Sequence, residues 1–148
     1  MNGTKYDEIY SVFFSKISDY DLAQLEEQDI EKMLLGYLNS AITRFDVCKK
    51  DLLNKDDVEK CFYDTLSYEE IEILACHMVC CWIEPKLNDL DLLRNTLNTT
   101  DFTFFSPANL LKNVSDRYSN AMHEARKLTN EYSFKNIDFT ELIHKWFL

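Results

Sequence analysis

The chain contains one segment that is apolar on nearly every side of a helix: Ser67-Tyr68-Glu69-Glu70-Ile71-Glu72-Ile73-Leu74-Ala75-Cys76-His77-Met78-Val79-Cys80-Cys81-Trp82-Ile83. Ser67 followed by Glu70 has the form of a capping box, which predicts that a helix begins here. A helix with so little polar surface is stable only when other elements cover it. We therefore predict that this helix is central, and that Pro85 ends or kinks it.

Three other segments repeat apolar residues at helical spacing. They run from about Lys5 to Ile17, from Ile30 to Phe45 and from Leu110 to Leu128. Ser106-Pro107 favours the start of the last of these helices, with serine as the cap and proline at the first helical position. We expect that helix to end at Asn130-Glu131-Tyr132-Ser133.

The connection between the second and third helices is polar. Asp56 and Asp57 are good helix caps, so we predict a short helix that continues through Tyr63. The apolar anchors of this connection are Leu52, Leu53, Val58 and Phe62.

The composition agrees with a helical fold. The chain has 148 residues, 46% of them hydrophobic, which suffices for the core of one domain. It has two glycines and two prolines, too few for the tight turns of a sheet-rich protein. The predicted fold class is all-α: a four-helix bundle-like core with extended loops over residues 1–133, and a C-terminal arm over residues 134–148.

Two apolar segments lie outside the predicted core. A loop between the last two long helices carries three phenylalanines, which either pack back on the protein or insert into a partner. The C-terminus follows Asp138, a candidate helix cap, and its apolar residues either close the core or form a docking arm. The candidate partner-interface residues are Phe102, Phe104, Phe105, Trp146, Phe147 and Leu148.

The charge balance disfavours several classes of partner. The chain has 16 basic and 26 acidic residues, a net charge of −10. This balance is poor for binding nucleic acid through phosphates or for attraction to a membrane surface. The N-terminus lacks the pattern of a signal peptide, and the most apolar window, Ile73 to Ile83, is too short to span a membrane. We therefore expect intracellular synthesis, with five reduced cysteines.

The residues that resemble a metal site do not complete one. Cys76 and Cys80 share one face of the third helix, and His77 and Cys81 share another. Tetrahedral zinc sites draw ligand pairs from separate elements, and no second pair is near in the sequence. No phosphate-binding loop or nucleophile motif is present either. We predict no catalytic residue, no metal ligand and no cofactor, so the chain is not expected to be an enzyme.

Five stretches carry a family resemblance: Leu66-Ser67-Tyr68-Glu69-Glu70-Ile71-Glu72-Ile73-Leu74-Ala75, Trp82-Ile83-Glu84-Pro85, Leu97-Asn98-Thr99-Thr100-Asp101-Phe102, Phe105-Ser106-Pro107-Ala108-Asn109-Leu110-Leu111 and Tyr132-Ser133-Phe134. In these stretches the chain resembles head–tail connector (adaptor, or neck) proteins of tailed bacteriophages from low-GC Gram-positive hosts. The family motifs are structural, and no catalytic residue is carried over from them.

The resemblance implies a virion structural protein that is made in the bacterial cytoplasm and located in the neck of the particle. It implies a homo-oligomeric ring, usually of twelve subunits, with portal protein and neck or tail proteins as partners. DNA would only pass through the channel, without sequence-specific binding. Two other hypotheses stay open: an intracellular helical interaction module or phage regulator that binds one protein, and a small metal-dependent enzyme.

Substitutions at two aromatic residues distinguish core from interface. Trp82→Ala should lower the free energy of unfolding by about 3–5 kcal/mol if the third helix is central. Phe104→Ala should leave folding nearly unchanged and weaken assembly if the aromatic loop is an interface anchor. Thermal melts of both variants test this, and equal losses of melting temperature would place the loop in the core.

Overall fold

The computed structural model describes residues 3–17, 27–96, 107–137 and 139–147, apart from the side chains of residues 93–96, 107 and 108. The described residues are mostly helical, which confirms the all-α class. Their elements are α1 (Tyr6–Lys16), α2 (Glu27–Arg44), β1 (Lys55–Asp56), β2 (Cys61–Phe62), α3 (Tyr68–Thr96), α4 (Pro107–Lys135) and α5 (Phe139–Phe147).

Helix α3 is the centre of the fold. Every residue from Ile73 to Ile83 is buried, including Trp82, which is 4% exposed. Helices α1, α2 and α4 each pack against α3, whereas the backbones of α1 and α2 come close to each other at few points. The prediction of a central, nearly all-apolar helix is confirmed.

The start of α3 is the predicted capping box. The Ser67 N–H donates to Glu70 Oε1 at 2.8 Å, and the Glu70 N–H donates to Ser67 Oγ at 3.1 Å. Pro85 does not end the helix, which continues to Thr96. Pro85 is exposed on the surface of the helix.

The prediction of a short helix that begins at Asp56 or Asp57 and continues through Tyr63 is wrong, because this segment is a β-hairpin. Strand β1 pairs with β2 in antiparallel register, and Lys60 in the turn has a positive φ of 55°. The Asp56 carboxylate accepts hydrogen bonds from the N–H groups of Val58 and Glu59, at 2.9 and 3.0 Å. The aspartate is thus a cap, but of a turn rather than of a helix.

Only part of the polar connection is anchored as expected. Leu52 and Phe62 are buried in the core. Leu53 and Val58 are exposed, so those two residues do not act as anchors. The difference follows from the hairpin, whose turn directs Val58 to solvent while its second strand directs Phe62 inward.

An extended N-terminal segment holds the hairpin against the helices. Phe62 N–H donates to the carbonyl of Thr4 at 2.8 Å, and Leu66 N–H donates to the buried Thr4 hydroxyl at 2.8 Å. At Gly3 the backbone passes so close that a Cβ would lie 1.8 Å from the carbonyl oxygen of Phe62. Glycine is therefore required here by close approach of two backbones.

Helix α4 is longer than the sequence predicts. It runs through Asn130-Glu131-Tyr132-Ser133 and ends at Lys135. Tyr132 is buried, and its hydroxyl donates to Glu70 Oε2 at 2.8 Å and accepts the Lys49 N–H at 3.0 Å. These tertiary contacts hold the last turns in helical form.

Gly3→Ala should lower the free energy of unfolding by about 1–3 kcal/mol, because the methyl group forces the N-terminal segment away from the hairpin. Gly36→Ala is the matched control: nothing lies within 4 Å of its Cβ position, and it sits inside α2. The control should gain up to about 1 kcal/mol from helix propensity. Urea unfolding measures both, and a neutral Gly3→Ala would contradict the close approach.

Candidate functional site

Helix α5 carries all its large apolar side chains on one face, and all of them are exposed. They follow the spacing i, i+3, i+4, i+7 and i+8, which places them on one side of a helix. The exposed fractions run from 46% to 81%. These residues, called here the α5 apolar face, are Phe139, Leu142, Ile143, Trp146 and Phe147.

Burial of the α5 apolar face against another surface would release a large free energy. Burying one such side chain contributes about 1.5–3 kcal/mol, so five of them far exceed what a single surface residue offers. A helix of nine residues is also marginal in water when nothing packs against it. A covering surface would therefore stabilise α5, and within the described residues none of its side chains is buried in the core.

A second apolar surface lies between α1 and α2. Both helices pack on α3 and come close to each other at few points, and a groove with a volume of about 740 Å³ lies between them. We call it the α1–α2 groove. Its apolar lining comes from Tyr10, Phe14, Ile30, Leu34 and Leu35.

The rim of the α1–α2 groove is acidic. Burial, together with the carboxylates of Asp7, Asp57 and Glu31, raises the pKa of Tyr10 to about 12. Lys60 Nζ binds Glu31 Oε1 at 2.8 Å, so that carboxylate is already paired. The residues that line the groove include four carboxylates and two lysines, which is an excess of two negative charges. They are Asp7, Glu27, Glu31, Asp57, Lys32 and Lys60.

A buried carboxylate fixes the point at which α4 ends and α5 follows. Glu70, 2% exposed, accepts hydrogen bonds from the Ser67 N–H, the Tyr132 hydroxyl, Lys50 Nζ and the Cys48 thiol. Burial opposes its ionisation, but these donors outweigh burial and hold the pKa of Glu70 below its ordinary value. Tyr132 therefore anchors the last turns of α4 on the first turn of α3.

A polar cleft lies on another side of α3. His77 Nε2 is 2.9 Å from Thr129 Oγ1, whose hydroxyl donates to the Ala125 carbonyl at 2.7 Å. Thr129 therefore accepts from His77 Nε2–H, which leaves Nδ1 as an acceptor. Among the described residues, His77 Nδ1 and Arg44 Nη1 are the buried side-chain polar atoms without a hydrogen-bond partner. They line a cavity of about 390 Å³, which has room for water.

The cysteines of α3 are packed as apolar side chains. Cys76, Cys80 and Cys81 are buried, and burial raises the pKa of the Cys76 and Cys80 thiols to about 11. Thiols in this state are poor nucleophiles and poor metal ligands. Within the described ranges, no three His, Cys, Asp or Glu side chains are grouped to hold a metal ion.

The predicted interface residues divide into two groups. Trp146 and Phe147 lie on the α5 apolar face and are exposed. The remaining predicted residues, Phe102, Phe104, Phe105 and Leu148, lie outside the described residues.

The α1–α2 groove was not predicted from the sequence. The sequence does contain a sign of it. Phe14 follows the core residue Phe13 in α1, and Leu35 follows the core residue Leu34 in α2, so the apolar face of each helix is wider than its contact with α3 requires. Phe14 and Leu35 pack against the core and are only half-buried, so the rest of their apolar surface lines the groove. Which element lies opposite this apolar surface depends on the tertiary arrangement, and the spacing of apolar residues in the sequence does not predict that arrangement.

Comparisons of the chain with protein-family models, with curated proteins and with solved structures find no match. A search for membrane spans, which covered the described part of the chain, finds no helix that is both long and apolar enough to cross a bilayer.

Acid should destabilise the protein through His77. Burial, together with the Arg44 charge, lowers the pKa of His77 from 6.5 to about 4. The unfolded chain therefore binds more protons between these values, and stability should fall by up to about 1.4 kcal/mol per unit as the pH decreases through this window. Above pH 6.5 this contribution is fully present. Urea unfolding between pH 7.5 and pH 4.5 measures the slope.

His77→Gln is the control for this slope, because glutamine can still donate to Thr129 and does not titrate. The variant should show a shallower pH dependence than the natural chain between pH 6.5 and 4. Parallel slopes for the two proteins would mean that His77 does not carry the acid sensitivity.

Proposed function

We propose that this chain is a virion structural protein, a head–tail connector (adaptor) that forms a ring between the portal and the neck or tail proteins of a tailed bacteriophage. The observation that carries the proposal is the α5 apolar face, a helix surface that the described chain leaves uncovered. Its amphipathic form favours protein–protein association. The sequence resemblance between Leu66 and Phe134 supplies the phage setting.

In this proposal α1 to α4 form a four-helix bundle-like body, the adaptor domain of residues 1–133, and residues 134–148 form the docking arm. The body gives rigidity, since α3 is buried from Ile73 to Ile83 and Glu70 ties α3 to α4. The candidate contact residues are the aromatic loop, Phe102, Phe104 and Phe105, and the arm, Trp146, Phe147 and Leu148. No cofactor and no catalytic step are part of the function.

A ring of identical subunits needs two different surfaces on each copy, because head-to-tail contacts are heterologous. The proposal assigns twelve subunits to the ring and places it in the neck of the virion. DNA passes through the channel without sequence-specific recognition. A net charge of −10 suits this passage, because acidic side chains facing the channel would repel the phosphates.

The test is the mass of the purified protein, alone and mixed with portal protein, by light scattering. A defined ring on the portal is the expected result, and Phe147→Ser should weaken its formation at least tenfold. Tyr68→Ser is the matched control, because Tyr68 is 94% exposed on the body and should be neutral.

A folded protein that ignores the portal and is absent from purified particles would overturn the connector proposal. The α5 apolar face would then point to an intracellular module, such as a phage regulator that binds one protein.

A further inference from the structure

We propose that α5 of one copy docks in the α1–α2 groove of the next copy. This inference shares one element with the proposed function, namely that copies of the chain assemble side by side. It names the acceptor for α5, and the contact itself needs no portal. Within the described residues, each chain carries one apolar helix face that is exposed and one apolar groove that no described element fills.

The two surfaces match in length. At a rise of about 1.5 Å per residue, the nine residues of α5 span about 13 Å. The groove is lined along α1 from Tyr6 to Phe14 and along α2 from Glu27 to Leu35, nine residues and therefore about 13 Å on each wall by the same rise. The whole helix therefore fits between the two walls.

The two surfaces also match in chemistry. Phe14, Ile30 and Leu35 are only partly buried, so the groove offers an apolar floor to the α5 apolar face. Lys145 is a cation in the last turn of α5, the acidic residue of this helix, Glu141, lies at the opposite end, and the groove rim has an excess of two negative charges. Cations near an acidic rim fix the position of the helix more than they add affinity.

A second copy suits the groove better than the same chain. Helix α5 has no extensive contact with any other described helix of its own chain, and its entire apolar face is exposed. Donor and acceptor are different surfaces, so the contact is heterologous. Such a contact repeats from copy to copy until the rotation closes a ring or continues as a filament.

Two variants test the contact in the full-length chain. Trp146→Glu removes the donor and leaves the groove intact, whereas Leu35→Glu blocks the groove and leaves α5 intact. Both side chains lie on exposed or half-exposed helix surface, and circular dichroism confirms folding. Phe14→Glu is a second groove variant in case Leu35→Glu misfolds, and Leu92→Glu, on exposed α3 surface, is the control.

Sedimentation velocity should show assembly of the natural chain and of Leu92→Glu, and at least tenfold weaker assembly of each surface variant. An equimolar mixture of Trp146→Glu and Leu35→Glu should form a dimer and nothing larger, because one intact donor meets one intact groove. Undiminished assembly of both groove variants would overturn the proposal, and so would a mixture that stays monomeric.

The outcome also separates this inference from the proposed function. A natural chain that stays monomeric alone and still joins the portal would overturn the α5–groove contact and leave the connector function standing. A chain that assembles through the groove without binding the portal would support the contact and overturn the connector function.

Discussion

The fold depends on the burial of α3 on nearly all sides. A helix that is apolar around its circumference needs several covering elements, and α1, α2 and α4 each supply one. Helices α1 and α2 both pack against α3 and come close to each other at few points, and the α1–α2 groove lies between them. The surface proposed to receive a second copy is thus a consequence of how the core is covered.

The position of the end of α4 depends on one ionised group in the interior. Glu70 is stabilised by donors from the capping box, the polar connection and the end of α4. Removing one partner of a buried charge costs more than losing an exposed hydrogen bond, because the remaining charge stays desolvated. Tyr132 therefore holds α4 in place up to the residues that lead into α5, and a fixed exit point favours docking between copies.

Much of the fold could be predicted from the sequence, because local signals and burial agree in α3. Ser67 and Glu70 marked its start, and its uniform apolarity indicated its central place. The helix predicted from Asp56 was wrong because an aspartate carboxylate can cap either a helix or a hairpin turn, and it accepts the same kind of backbone hydrogen bond in both. The extension of α4 was missed because the contacts of Tyr132 lie far away in the sequence. The apolar C-terminus was visible, but its acceptor groove depends on two helices meeting a third.

The central claim is that α5 of one copy lies between α1 and α2 of its neighbour. The most direct measurement is a cryo-electron-microscopy map of the self-assembled full-length protein. We expect helical density for α5 in the groove of the adjacent subunit, with Trp146 against Leu35. A map in which α5 packs on its own chain, or is exposed while another element fills the groove, would contradict it.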